Sequence, residues 1–474
     1  MTGTLACHAA LLRAVGVALA VGAVSGPMGR VLVHARGAWS RLALVLLLAP
    51  LVTPSVLTGY AYAAFAVGLR SRPAGEALYL GLLTLRLAPV AALVVAFMPQ
   101  PISPTGRYCW RLARPAARWR TRLGYRLRQA APPRLLASGV CGLLAFSEFE
   151  MVSLLGVPSW TVALFDAQVQ GMELADSLRL ALAPAVVQLA VLGGLLLLLL
   201  RGRWREPAEP GSPPPPGPGA AAVGWAALVV GAGAVTVAPM GILFAEARAG
   251  VMGAVRDFGL GRDLAASLVY AAAGGGLGFL VAGRLLRCRR HGARPSARWA
   301  LLAACAGPGL LGTLFVSLVV LGLFQAPGLR ALYDTPLPLT IALAILSLPF
   351  AVLLRSAVEA PADKTGVRAA ELLAEAPPAT LRARGKALLW ALRDRGRAWV
   401  LFLVFLWAYF DATAGTILAP PAMPTVFGKL YNFMHYGRSS LLSARVAAVV
   451  CAPLAVLIGA WVWRAVRWRR ARVG

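Results

Sequence analysis

The chain has 474 residues, 47 Lys+Arg against 18 Asp+Glu, a net charge of +29, and 59% hydrophobic but only 14% charged residues. Soluble domains average about 45–50% apolar with glycine counted and about 25% charged, whereas the mean hydropathy here is +0.71. That excludes a water-soluble globular protein and predicts an all-α polytopic membrane protein.

A bilayer core takes roughly 20 apolar residues per helix, and eleven stretches qualify: 11–28, 42–64, 77–98, 135–156, 179–200, 221–243, 263–283, 299–323, 337–354, 398–417 and 444–463. The first is Gly/Ala-rich and interrupted by Pro27. With Arg13 ahead of it and Ala23-Val24-Ser25 near its end, it also fits a secretory signal peptide. The loops after spans 1, 3, 5, 7 and 9 and the C-terminal tail hold 35 of the 47 basic residues but only 7 of the 18 acidic ones. By the positive-inside rule that side is cytoplasmic, so the N-terminus lies outside and the C-terminus inside. The basic excess is therefore topological, and no nucleic-acid partner is expected. Heavy use of Arg, Ala, Gly and Pro suggests a GC-rich bacterial genome.

Residues 201–219 form a Pro/Gly-rich linker with four consecutive prolines, which favour extended polyproline II over helix. It divides a five-span part, 1–200, from a six-span part, 220–474. The parts resemble each other in order. Ser40-Arg41-Leu42 precedes Ala297-Arg298-Trp299 by 257 residues, Ala113-Arg114-Pro115 precedes Glu375-Ala376-Pro377 by 262, and Phe149-Glu150 precedes Phe410-Asp411 by 261. Equivalent loops fall on the same membrane face, so the expected repeat is parallel and not inverted.

Two cytoplasmic loops, 99–134 and 355–397, exceed the few residues a connection needs. In the second, residues 367–376 predict a short amphipathic helix with Ala370, Leu373 and Ala374 on one face, stopped by Pro377-Pro378. The first carries nine Arg and no acidic residue between Arg107 and Arg134, interleaved with Trp110 and Trp119. It suits either interfacial anchoring in membrane lipid or docking of a cytoplasmic partner.

These loops carry a resemblance to the permeases of type I binding-protein-dependent ABC importers, in particular the fused double-length permeases for ferric iron and thiamine. That family has an EAA-xxx-GASP-like coupling loop in each half. Residues 368–377 match it at Ala369, Ala370 and Pro377, with Glu371, Ala374 and Glu375 between them; Arg368 stands where the family has Glu. In the first half Ala113-Arg114-Pro115 falls at the GASP position. The family's S-x-E-F-G-A-T-like pattern is similar to Ser147-Glu148-Phe149-Glu150 and to Tyr409-Phe410-Asp411-Ala412-Thr413. The resemblance implies about eleven transmembrane helices in two parallel tandem halves. It also implies a separate cytoplasmic ATPase docking on the two loops, and an extracytoplasmic solute-binding protein docking on the loops Val157–Arg179 and Leu418–Ser443. The chain itself lacks GxxxxGK(S/T), the phosphate-binding P-loop, so no catalytic residue is expected in it.

Charges inside spans are costly and need an account. Arg86 lies within span 3, the single ionisable residue expected near the midplane. Glu148, Glu150 and Asp411 lie toward the outer part of spans 4 and 10, where they either line a gate or pair at the interface. Gly193-Gly194 and Gly274-Gly275-Gly276 are expected to allow close helix packing. Six cysteines without CxxC spacing and four scattered His give no disulfide framework, metal site or cofactor site. An ion-gradient-driven secondary transporter and a non-transport membrane component stay open as alternatives.

Overall fold

The computed structural model describes residues 3–69, 71–97, 102, 104–201, 216–255, 258–288, 295–359, 363–435, 437 and 439–473. Most of the linker expected at 201–219 lies outside them. Every regular element among the described residues is helical. The chain opens with α1 (Gly3–His34), a bent pair α2 (Ala38–Val52) and α3 (Ser55–Gly68), and α4 (Arg72–Phe97). The short α5 (Pro104–Ala113) leads to α6 (Trp119–Phe146), then α7 (Glu150–Leu154), α8 (Trp160–Val169) and α9 (Leu174–Arg201). Next α10 (Pro218–Ala232) passes through a π-turn at Gly233–Val237 into α11 (Ala238–Ala247) and α12 (Val251–Val255). After α13 (Phe258–Cys288) come a second bent pair, α14 (Pro295–Ala306) and α15 (Thr313–Gln325), then α16 (Leu337–Glu359), α17 (Lys364–Glu375) and α18 (Ala379–Leu389). The last helices are α19 (Arg395–Tyr409), α20 (Thr413–Leu418), α21 (Val426–Met434) and α22 (Ser440–Val473).

Among the described residues seven helices are long and apolar enough to cross a membrane, or up to nine if each bent pair counts as one span. The eleven expected stretches all fall on helices, but two are shorter than a span. The apolar part of α6 covers only Ala131–Phe146, and α19 has 15 residues. Both stop at a break followed by a short helix, where hydropathy alone reads one continuous stretch. The two expected loops are largely helical as well. The amphipathic helix expected at 367–376 is α17, capped by the Asp363 side chain accepting from the Thr365 N–H at 3.0 Å.

The bends have local causes. Pro54 disfavours a helical residue before it, and Thr53 is extended with ψ 125°, so α2 and α3 meet at 77°. The α14–α15 bend of 97° turns on Gly312, whose φ of +91° is left-handed and suits glycine.

Helix α1 packs on α4 and α6, and α13 packs on α16 and α19. The expected role of Gly274-Gly275-Gly276 holds at its first two members. Gly274 lies against Leu343 and Thr340 of α16, and Gly275 against Val404 and Phe405 of α19. Gly276, Gly193 and Gly194 have open space beside them, so at these three positions the packing expectation is corrected. Across the whole chain, α10 packs on α1 and α2, while α9 packs on α14 and α15. The π-turn leaves backbone carbonyls free of the helix ladder. The Tyr62 hydroxyl donates to the Ala234 carbonyl at 2.9 Å and Thr58 to that of Val235 at 3.3 Å, tying this span to α3. Leu19, Val67, Leu182 and Leu280 are more than half exposed on the outside, a liability in water and the requirement in lipid.

Candidate functional site

The four helix breaks converge. Thr53, Pro54 and Ser55 from the α2–α3 bend, Ser147 to Glu150 from the α6–α7 break, Gly312 and Thr313 from the α14–α15 bend, and Phe410 and Asp411 from the α19–α20 break all line one cavity of about 260 Å³. Broken helices suit such a place, because non-helical backbone at membrane depth is tolerated where it lines a cavity or is buried in protein. The remaining wall is mostly apolar, from α4, α6, α9, α14, α16 and α19, and reaches Phe97, Leu199 and Ser356 near helix ends that carry the basic loops.

Arg86, Glu148, Glu150 and Asp411 all border this cavity. Arg86, expected as the single ionisable residue near the midplane, shares this cavity with three carboxylates. Sequence position on separate spans gives no hint of this, because Glu150 and Asp411 are 261 residues apart and meet only through the tertiary fold.

Each carboxylate has a structural tie. Glu148 accepts from the backbone N–H groups of Met151 at 2.8 Å and Val152 at 3.0 Å, capping the first turn of α7 where the helix dipole favours an anion. Asp411 does the same for α20, accepting from the Ala414 N–H at 2.7 Å. Glu150 is buried and joins distant elements. Its carboxylate accepts from the Ser55 hydroxyl at the start of α3, from the Ala412 N–H at 3.0 Å and from the Thr413 hydroxyl at 3.3 Å. The Nε of Arg86 is buried with no hydrogen-bond partner. If all four groups are ionised, the cavity carries a net charge of −2.

An aromatic cluster adjoins the two breaks. Phe149 packs at a tilt on Phe165, ring centroids 4.6 Å apart, and lies 5.6 Å from Tyr431, and the Tyr431 hydroxyl donates to Ser153 at 2.8 Å. Phe410 packs edge-on against Phe427 at 5.4 Å. His435 stands edge-on to Tyr431 at 4.8 Å, and burial holds its imidazole pKa below the ordinary value. Sequence reasoning gave Ser55 and Thr53 no role and quoted Phe149 and Phe410 only as members of the paired motifs. The signals for the bends, Pro54 and Gly312, were present.

The second group of expected residues lies at the far ends of the helices. Ala370 is buried between α17 and α18, where Gly385 of α18 comes against Ala374 and Leu373. Ala369, Glu375 and Pro377 are exposed. Glu371 accepts from Arg393 at 2.6 Å, and hydrogen bonds to Asp394 and Glu371 raise the Arg393 guanidinium pKa. Asp394 in turn lies 3.9 Å from Arg397, which donates to Glu359 at 2.9 Å. A run of ion pairs thus connects the α17–α18 hairpin to the end of α16. Ala113, Arg114 and Pro115 sit exposed at the end of α5, far simpler surroundings without a hairpin partner of that kind.

Fold and site together define a multi-helix membrane protein with an internal charged cavity. Comparison with known proteins finds no match among family models, curated proteins or solved structures.

Proposed function

We propose that the chain is the membrane permease of a type I binding-protein-dependent importer, both halves fused, with the cavity as its translocation path. The observation that carries this reading is the serial recurrence of elements. A long helix, a bent pair, a membrane-length helix, an amphipathic helix, a helix that stops at a carboxylate cap, two short helices and a final long helix occur over 3–201 and, with α18 added after the amphipathic helix, recur over 258–473. The cap is Glu148 in the first run and Asp411 in the second. On this reading the halves are parallel, the basic loops are cytoplasmic in a bacterial inner membrane, and the N-terminus is outside. A solute-binding protein docks outside on the segments around α8 and α21. A cytoplasmic ATPase docks through the α17–α18 hairpin, with the Ala113-Arg114-Pro115 turn as its counterpart. Closure of the ATPase moves the hairpin, and the ion-pair run from Glu371 to Glu359 carries that movement to α16, which walls the cavity.

Affinity purification after mild solubilisation should recover a P-loop ATPase, and uptake in cells should stop on ATP depletion. Gly385→Val should force α18 away from the α17 backbone and reduce ATPase recovery about tenfold, while the chain still elutes as a folded species. The second reading is a gradient-driven secondary transporter, favoured by three carboxylates and Arg86 on one cavity. Uptake that survives ATP depletion but collapses with a protonophore, with no ATPase recovered, would establish it instead.

A further inference from the structure

We propose that α5 is an interfacial helix seated on anionic phospholipid, its apolar face at the headgroup–acyl boundary and the arginines beside it on lipid phosphates. At 100° per residue, Tyr108, Leu112, Cys109 and Ala113 fall within an arc of about 140° on one side of α5. That side is uncovered: Tyr108 is 61% and Leu112 67% exposed, and Cys109 is exposed too. The opposite edge is held by Trp110, stacked at 4.2 Å on Tyr125 of α6, so the apolar side is presented outward. Arg111 lies between the two edges. Beyond the helix, Arg114, Arg118, Arg120 and Arg122 are exposed, and Arg122 fixes the turn by donating to the carbonyls of Ala117 at 2.8 Å and Pro115 at 3.1 Å.

Charge and position select the occupant. No acidic residue occurs between Glu76 and Glu148, so any cover for this face must be anionic. The helix begins seven residues after Phe97, the end of apolar α4, and α6 becomes apolar again at Ala131. The segment is therefore held at the membrane surface at both ends. An amphipathic helix there, with aromatic and aliphatic residues on one side and arginines beside them, matches the physical requirements of anionic-lipid binding. A surface built for a protein partner looks different in this molecule: α17 buries Ala370 against α18 and pairs its charge internally through Glu371 and Arg393. The lipid seat does not depend on the permease reading, and it gives the Ala113-Arg114-Pro115 turn to lipid, leaving the α17–α18 hairpin alone for the ATPase.

Cys109 reports on the seat directly. The full chain is placed in nanodiscs of phosphatidylcholine alone, or of an equal mixture with phosphatidylglycerol. Labelling of Cys109 by a membrane-impermeant maleimide is then followed by peptide mass spectrometry. Labelling should slow at least about fivefold in the mixed discs, and high salt should reduce that protection. Replacing Arg111, Arg114 and Arg118 together by Gln should abolish protection, and replacing them by Lys should retain it. The Lys variant guards against mere misfolding. Equal labelling in the two lipids overturns the proposal. So does protection that arises only when a co-purified protein is bound, whatever the lipid, which would make this face a protein-docking surface.

Discussion

Replacing Glu150 by Ala should lower the stability of the detergent-solubilised protein by about 2–4 kcal/mol. Its carboxylate is the common acceptor for Ser55, Ala412 and Thr413, so one truncation strands a backbone N–H and two hydroxyls. The hydroxyls can rotate toward other acceptors, but the Ala412 N–H has a fixed direction, and its loss should dominate. Glu150→Gln keeps one carbonyl acceptor and should cost about half as much. Thermal unfolding followed by circular dichroism measures both. An unchanged melting temperature in Glu150→Ala would mean that these hydrogen bonds do not hold the breaks together. If the permease reading is right, the same variant should also lose solute uptake, because the α3 and α20 starts border the cavity.

Gly312→Ala should be comparably damaging, at about 2–4 kcal/mol, for two separable reasons. Its φ of +91° with ψ of 155° is a conformation essentially confined to glycine and costs an alanine roughly 1–3 kcal/mol, and the added Cβ would run into the Ser147 side chain, an overpacking cost of about 1–3 kcal/mol. Gly156 supplies the control. Its φ is also positive, at +67°, yet a Cβ there meets open space, so Gly156→Ala should show the backbone cost alone. Adding Ser147→Gly to Gly312→Ala should recover the clash part and leave the backbone part, a double-mutant comparison. If Gly312→Ala and Gly156→Ala unfold alike, Gly312 and Ser147 are not packed together as described.

Local chemistry was the legible part. The apolar stretches are helices, and α17 ends at Glu375, two residues before Pro377-Pro378. These features depend on neighbours within a few residues, which is the range over which hydropathy and backbone sterics act. The bends at Pro54 and Gly312 were not read, because 42–64 and 299–323 each pass for one apolar span. Nor was the break after α6 legible. Phe146 and Phe149 flank it and keep the hydropathy high, so 135–156 reads as a single span. Glu148 and Asp411 are the local clue, since each sits where its carboxylate can reach the first N–H groups of the next short helix. Read as membrane charges, they suggested a gate or an interface; read as caps, they mark where the helices stop.

The charge of +29 shows the division most plainly. By itself the sequence determined a helical membrane protein, and the sorting of 35 basic residues onto alternate loops determined an expected orientation, because both depend only on composition and order. What those charges touch was decided by the tertiary structure. Arg86 on α4, Glu148 and Glu150 at the α6–α7 break, and Asp411 at the α19–α20 break meet on one cavity because the two bends and two breaks converge there. Glu371 and Arg393 pair within one basic loop, while the arginines around α5 stay exposed. Burial and pairing arise from contacts between residues far apart in the chain, and no local pattern encodes them.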